Sequence, residues 1–372
     1  MVDLLRKLAT PGLTIIILTA VAAMPQSAWS QGEGLPDEGE TPLATAEKEN
    51  QLMRLIEALR TDASFKVRLQ AAVLLGRADD SRAVEPLIST LSSDEHYTVR
   101  AASATALANL NEPRAISHII KRIATDTDPF VREEATHALG KYDPEDALPY
   151  VVATYGSDDP AVRKEAVAYL LAEASTGGAE PVLVKALGDL PEIFFAVEKA
   201  ALEMPSDEST RFLTVALDHR DPGVRQGAVR VLHKIGDANA AKLILTVYER
   251  DIEADGVRTA TRRALRDLRS HLPMTQIVAD AQSNPQKHAR ARALMLLGAI
   301  GGADAEKVLL TALRDQDVYL RGTAVMAMAK LGDSDVVPSL EKLEADPANQ
   351  RILHLVRHAI KQLRKDSGTR TN

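Results

Sequence analysis

Nine histidines and one dense run of arginines are the side chains here best suited to chemistry. A metal centre needs imidazole and carboxylate groups converging from facing elements. The histidines stand at positions 96, 118, 137, 219, 233, 271, 288, 354 and 358, with no shared spacing. His354 and His358 are one helical turn apart, a two-ligand spacing, but no third ligand accompanies them. His137 follows Glu133 and Glu134, and no His-Glu dipeptide occurs. There is no Gly-rich phosphate loop, G-x-S-x-G elbow or H-E-x-x-H. Absence of cysteine removes disulfides, thiolate ligands and thiol nucleophiles. No catalytic, cofactor-binding or metal-binding residue is therefore assigned.

The arginines are Arg258, Arg262, Arg263, Arg266 and Arg269. They could present a patch to an anionic partner, unless Glu249, Asp251, Glu253, Asp255 and Asp267 neutralise it. A second candidate is the pair Phe194 and Phe195, two aromatics at a helix start of the kind that anchors interfaces.

What positions these residues is a repeat. Asp128-Pro-Phe-Val-Arg132, Asp159-Pro-Ala-Val-Arg163 and Asp221-Pro-Gly-Val-Arg225 share one pattern, and Arg68, Arg100, Arg258, Arg290 and Arg321 fall in step with it. The steps are 32, 32, 31, 62, 33, 32 and 31 residues. The long one is two periods with a degenerate unit inside, where Phe195 takes the arginine's place. Leu353 takes it in a last copy.

Counting from the arginine, small residues recur at +3 (Ala71, Ala135, Ala166, Ala228, Ala293, Ala324). Leu recurs at +7 (Leu75, Leu107, Leu139, Leu170, Leu232, Leu265, Leu297). This is one face of a helix. Asp at the N-cap accepts from free N–H groups and Pro at the first helical position has none to waste. Gly236, Gly301 and Gly332 stop the helix. A second amphipathic helix follows. One such pair cannot bury both apolar faces, so pairs must stack. The reading is all-α: an α-solenoid of about ten stacked helix pairs, residues 45–365, with a period near 32.

Within this solenoid the arginines Arg68, Arg100, Arg132, Arg163, Arg225, Arg290 and Arg321, with Asp128, Asp159 and Asp221, read as a structural ladder tying layers together. In unit seven, Arg262, Arg266 and Arg269 replace residues that are mostly small or apolar elsewhere. Unit five, with Phe194 and Phe195, has lost the Asp–Arg signature. Local rules are often broken where function intervenes.

The unit from Ala78 to Leu110, and the D-P-x-V-R-x-x-A-x-x-A-L-G pattern, resemble the short HEAT-like repeat named for phycobilisome bilin lyases. The resemblance covers roughly residues 60–365. It implies a curved superhelix whose concave side binds other proteins, and it leaves function open. Two enzyme relatives share the architecture, the bilin lyases and deoxyhypusine hydroxylase. The latter holds two irons through His-Glu pairs, which this chain lacks. A divergent HEAT-fold enzyme or accessory subunit, bilin-lyase-like or metal-dependent hydroxylase-like, is the alternative to a scaffold.

Aromatics are 3% of the 372 residues and the net charge is −7 with both signs interspersed. The first suits thin helical layers; the second speaks against generic nucleic-acid binding. At the N-terminus, Arg6 and Lys7 precede an apolar stretch from Leu13 to Ala23, then Pro25 and Ala28-Trp29-Ser30. These are the three parts of a secretory signal peptide. The apolar stretch is too short for the roughly 20 residues that span a bilayer. The expected organisation is a signal peptide (1–30), a flexible acidic Gly/Pro spacer (31–44), the solenoid (45–365) and a disordered tail (366–372). The expected function is that of a non-enzymatic exported scaffold or adaptor, periplasmic or secreted after cleavage near Ser30. It would bind protein partners and use no cofactor, nucleic acid or lasting membrane span.

Overall fold

A computed structural model describes residues 42–173, 178–250 and 255–369. The expected signal peptide and most of the expected spacer lie outside the described residues. The chain divides into two compact units, residues 1–54 and 55–372. What is described of the first is the start of α1 (Pro42–Thr61), which continues into the second.

The helices that follow are α2 (Phe65–Leu75), α3 (Val84–Ser93), α4 (Tyr97–Asn109), α5 (Ile116–Thr125), α6 (Pro129–Leu139), α7 (Pro144–Thr154) and α8 (Pro160–Ala172). Then come α9 (Glu180–Ala186), α10 (Pro191–Glu203), α11 (Ser206–Leu217), α12 (Pro222–Ile235), α13 (Ala238–Arg250) and α14 (Asp255–Asp267). The last six are α15 (Met274–Ser283), α16 (Lys287–Ile300), α17 (Ala303–Ala312), α18 (Val318–Leu331), α19 (Val337–Ala345) and α20 (Leu353–Thr369). Twenty α-helices among the described residues make ten pairs in chain order, and each repeat position of the arginine falls on the second helix of its pair.

The second helices stack in one row, with α4 against α2 and α6, α12 against α10 and α14, and α16 against α14 and α18. The first helices stack in a parallel row, including α3 on α5, α9 on α11 and α15 on α17. The periodic residues fill the space between them. All the +3 alanines and +7 leucines named above are buried. Because the +8 position is small, helices approach until backbones touch. A Cβ on Gly298 of α16 would lie 2.4 Å from the Ala327 carbonyl oxygen of α18, and one on Gly76 would lie 2.6 Å from Ala106 Cα. Capping follows the expected chemistry. Asp128, Asp159 and Asp221 accept from Phe130, Ala161 and Gly223 N–H groups at 2.9, 2.9 and 2.7 Å. Gly236 and Gly332 end α12 and α18 in the left-handed conformation.

The row of second helices is interrupted at one place. Between α6 and α8 close packing lapses, and α8 rests instead on α5 and α7. Tyr142, just beyond α6, is buried there and donates to the Glu112 carbonyl at 3.2 Å.

Two boundaries move. The first helix begins at Pro42, inside the expected spacer, because Pro suits a first helical position. The last continues to Thr369, past the expected start of the tail at 366, where Lys and Asp sustain the helix until Gly368.

Candidate functional site

The ladder arginines do two things at once. Arg68, Arg100, Arg132, Arg163, Arg225 and Arg321 each lie one turn into a helix and turn a guanidinium nitrogen back onto the carbonyls of their own inter-helix loop; Arg290 donates instead to the Ala281 carbonyl of α15 at 3.3 Å. Arg100 Nη1 donates to the Asp94 carbonyl at 2.9 Å, and Arg132, Arg163 and Arg321 do the same at 2.7, 3.0 and 2.8 Å. In Arg68, Arg100, Arg163, Arg290 and Arg321 other nitrogens reach forward to a side chain in the next repeat, whereas Arg132 makes only its loop contacts. Arg68 forks onto Asp94 at 2.7 and 2.9 Å, Arg100 onto Asp126 at 2.8 and 2.7 Å, and Arg163 onto Asp189 at 2.9 and 2.8 Å. Arg290 pairs with Asp315, and Arg321 donates to Asn349 at 2.8 Å.

These partners are not Asp128, Asp159 and Asp221, which act as N-caps. Each partner instead sits at the entry to a second helix, where its other bonds hold the turn. Asp94 accepts from His96 N–H at 2.8 Å and Asp126 from Asp128 N–H at 3.0 Å. The sequence carried a signal for them, an Asp two places before the N-cap (Asp94-Glu-His96, Asp126-Thr-Asp128, Asp315-Gln-Asp317). The rungs are also more enclosed than surface pairs, with 1% of the Asp126 side chain and 12% of the Arg100 side chain exposed. Burial alone would raise the carboxyl pKa of Asp94, Asp126 and Asp189. The arginine and N–H bonds outweigh it and hold all three low, Asp189 at about 2 with further help from the Tyr155 hydroxyl at 2.7 Å.

The expected anionic-partner patch separates into parts. Arg266 is used inside the fold: its Nε donates to the Ala299 carbonyl and its Nη2 to the Lys330 carbonyl, both at 3.0 Å. It thereby serves the C-terminal ends of α16 and α18. Arg269 lies in a short turn after α14, and its guanidinium occupies the space beside Gly302. Arg258 is half-buried. Among the described residues Arg262 and Arg263 have no ion pair. Of the acids expected to neutralise them, Asp267 binds His233 at 2.9 Å. The side chains of Glu249, Asp251, Glu253 and Asp255 lie outside the described residues. Beside Arg262, Lys330 is half-buried, and its ammonium pKa is lowered by burial and then by Arg262 and Arg258.

Phe194 and Phe195 also part company. Phe194 is core, 2% exposed, with its ring centroid 4.2 Å beneath the Arg230 guanidinium. Phe195 is 53% exposed and meets Phe194 edge to face at 5.5 Å. Helical periodicity explains the split, since adjacent residues point about 100° apart.

A surface the sequence reading missed runs across the starts of α2, α4 and α6. Phe65 and His96 stack at 3.7 Å, His96 and Tyr97 at 5.1 Å, and Tyr97 meets Phe130 edge-on at 6.0 Å. Its signal was an aromatic or imidazole two to four places before the arginine in three successive repeats.

The helical repeat architecture defines the class of protein, and the family model for HEAT repeats matches residues 52–140 and 275–361. The chain is a HEAT-like repeat protein. Among solved structures, human deoxyhypusine hydroxylase in complex with glycerol is 17% identical. The match covers 78% of this chain and 99% of that one, at a TM-score of 0.28. The complex of CpcE and CpcF of phycocyanin lyase from Nostoc sp. PCC7120 is 21% identical over 73% and 100% of the two chains, TM-score 0.27. The karyopherin Kap121p is 15% identical over 87% of this chain and 43% of its own length, TM-score 0.38. This chain thus spans less than half of Kap121p. Likeness of this extent carries no activity over to this chain. No curated protein matches it.

Proposed function

We propose that this chain is a non-enzymatic scaffold that binds other proteins along the row of second helices, and that it acts after export. The observation that supports this reading is the aromatic strip from Phe65 to Phe130. Tyr97 is 41% exposed at its middle, and the strip crosses three repeats on one continuous surface. Large rings exposed on a rigid framework supply contact area at low entropic cost, as interface anchors do. Stacking repeats supplies the length over which a partner can be followed.

The test is capture of partners by full-length protein, wild type against Tyr97→Ala/Phe130→Ala, with metal content measured on the same preparation. Recovery of a protein in fixed ratio by wild type, reduced in the variant, supports the reading. Stoichiometric iron, or no difference between the two, overturns it in favour of a hydroxylase-like or other enzymatic role. Export has its own test. Trp29 is the single tryptophan, so protein recovered from outside the cytoplasm should show no indole emission, and its first residue should lie near Gln31.

A further inference from the structure

Two cavities open on the row of second helices where units five to seven depart from the repeat. One, of about 790 Å³, lies between α10, α12 and α14 and is lined by Glu198, Arg230, Lys234 and Arg263. The other, of about 530 Å³, lies between α14, α18 and α20 and is lined by Arg262, Arg263, Arg266 and Lys330 with Ala329 and Leu331. Thr259 and Arg263 line both, so the two are adjacent.

The charges along them are unequal. Glu198 is buried and takes Lys234 at 3.0 Å, and Asp267 takes His233. That consumes the acids lining the groove. Arg230, Arg262, Arg263 and Lys330 remain with no carboxylate partner among the described residues. Lys330 is half-buried, and its charged form is disfavoured by that burial and then by the nearby Arg262 and Arg258. Such an arrangement costs stability in the free protein, and an anionic ligand relieves it. At one end, Phe195 lies a turn before Glu198 on α10 and is exposed.

We propose that this groove binds an extended acidic segment of a protein partner, placing its carboxylates on Arg230, Arg262, Arg263 and Lys330 and an apolar side chain on Phe195. The proposal rests on the protein-binding reading and names the chemistry of the partner. Guanidinium groups take carboxylates in a two-pronged geometry. Each volume is far larger than one phosphate needs, and Ala329 and Leu331 flank Lys330, which suits a peptide of mixed character. A polynucleotide is disfavoured, because a net charge of −7 repels a polyanion everywhere outside the groove.

The probe is a fluorescein-labelled peptide of about twelve residues built from Asp-Glu-Leu-Glu repeats, set against its Asn-Gln-Leu-Gln counterpart and an oligothymidylate of similar length. Full-length protein should bind the acidic peptide, with affinity falling as salt rises from about 50 to about 300 mM. Arg262→Glu/Arg263→Glu and Lys330→Glu should each weaken it by about tenfold or more, and Phe195→Ala by about threefold. Exposed Arg77→Glu should leave it unchanged. Far-ultraviolet dichroism shows that each variant is folded. Equal binding of the amide peptide, indifference to both charge reversals, or tighter binding of the oligothymidylate would each overturn the assignment. If partner capture succeeds while the acidic peptide fails, the groove assignment falls alone; if capture also fails, the scaffold reading falls with it.

Discussion

Arg100 and Arg132 hold the same place in successive repeats, yet they are bound differently. Arg100 ties its own loop to Asp126 in the next repeat, whereas Arg132 reaches the Asp126 and Thr127 carbonyls of its own loop and nothing beyond. The residue in register for it is Ser157, two places before the Asp159 N-cap; its hydroxyl accepts from the Asp159 N–H at 3.2 Å and offers Arg132 no carboxylate. Replacing Arg100 by Ala removes both direct hydrogen bonds to the buried Asp126 carboxylate, leaving Arg122 at 3.6 Å, and should cost about 3 kcal/mol, while Arg132→Ala should cost about 1 kcal/mol. Urea denaturation of both variants checks this, and equal losses would refute a register role for the rung. The same carboxylates predict acid sensitivity. Their pKa values lie below the unfolded value of about 3.9, so each contributes stability that is present above that pH. It is lost as pH falls through the folded values. Thermal midpoints should hold steady down to about pH 5 and drop between about pH 4 and pH 2, the window set by Asp189 at about 2. In Asp189→Asn the protein should be less stable at neutral pH and its decline on acidification shallower.

At the scale of the element, the tight approach of second helices depends on the small +8 residues. Gly298 faces the backbone of Ala327, which cannot swing away as a side chain can. Gly298→Ala should therefore lower stability by about 1–3 kcal/mol, despite the better helix propensity of alanine. Chemical denaturation reads this, and a stabilised variant would show that α16 and α18 can slide apart freely. Element order, pairing and caps were legible in sequence because each is set locally, by the Asp-Pro start, the apolar stripe and the glycine stop. The site was legible only in part. Periodicity marked Arg262 and Arg266 as alike, but Arg266 reaches carbonyls 33 and 64 residues away, a fact of stacking that no local pattern carries. The adjacent Phe194 and Phe195 looked equivalent for the same reason, until packing put one ring in the core and left the other exposed. The aromatic strip went unread because His96 and Phe130 stand out of step with Phe65 and Tyr97 in the repeat and meet them only through space.

Over the whole stack, stability is a sum of pair terms and interfaces between neighbouring pairs, so a weak interface divides it. The step between α6 and α8 has two marks of weakness, and they coincide. Close packing between second helices lapses there, and the arginine rung that spans the step elsewhere is missing. The interfaces on either side keep theirs, Arg100 with Asp126 before it and Arg163 with Asp189 after it. The packing of α7 and α8 on α5 still joins the two sides, so the chain should not part there at rest. Under mild destabilisation the row of second helices should open there, because neither close packing nor an arginine rung holds α6 to α8. Hydrogen exchange in low urea tests this: amides of α2 through α6 should share one opening free energy, and those from α8 onward a different one. Filling the missing rung supplies the converse. Ser157→Asp supplies a carboxylate at the place that Asp94 and Asp126 hold in their repeats and should draw the two sets of protection factors together; a single value across the step in wild type would show that the interface is as strong as its neighbours.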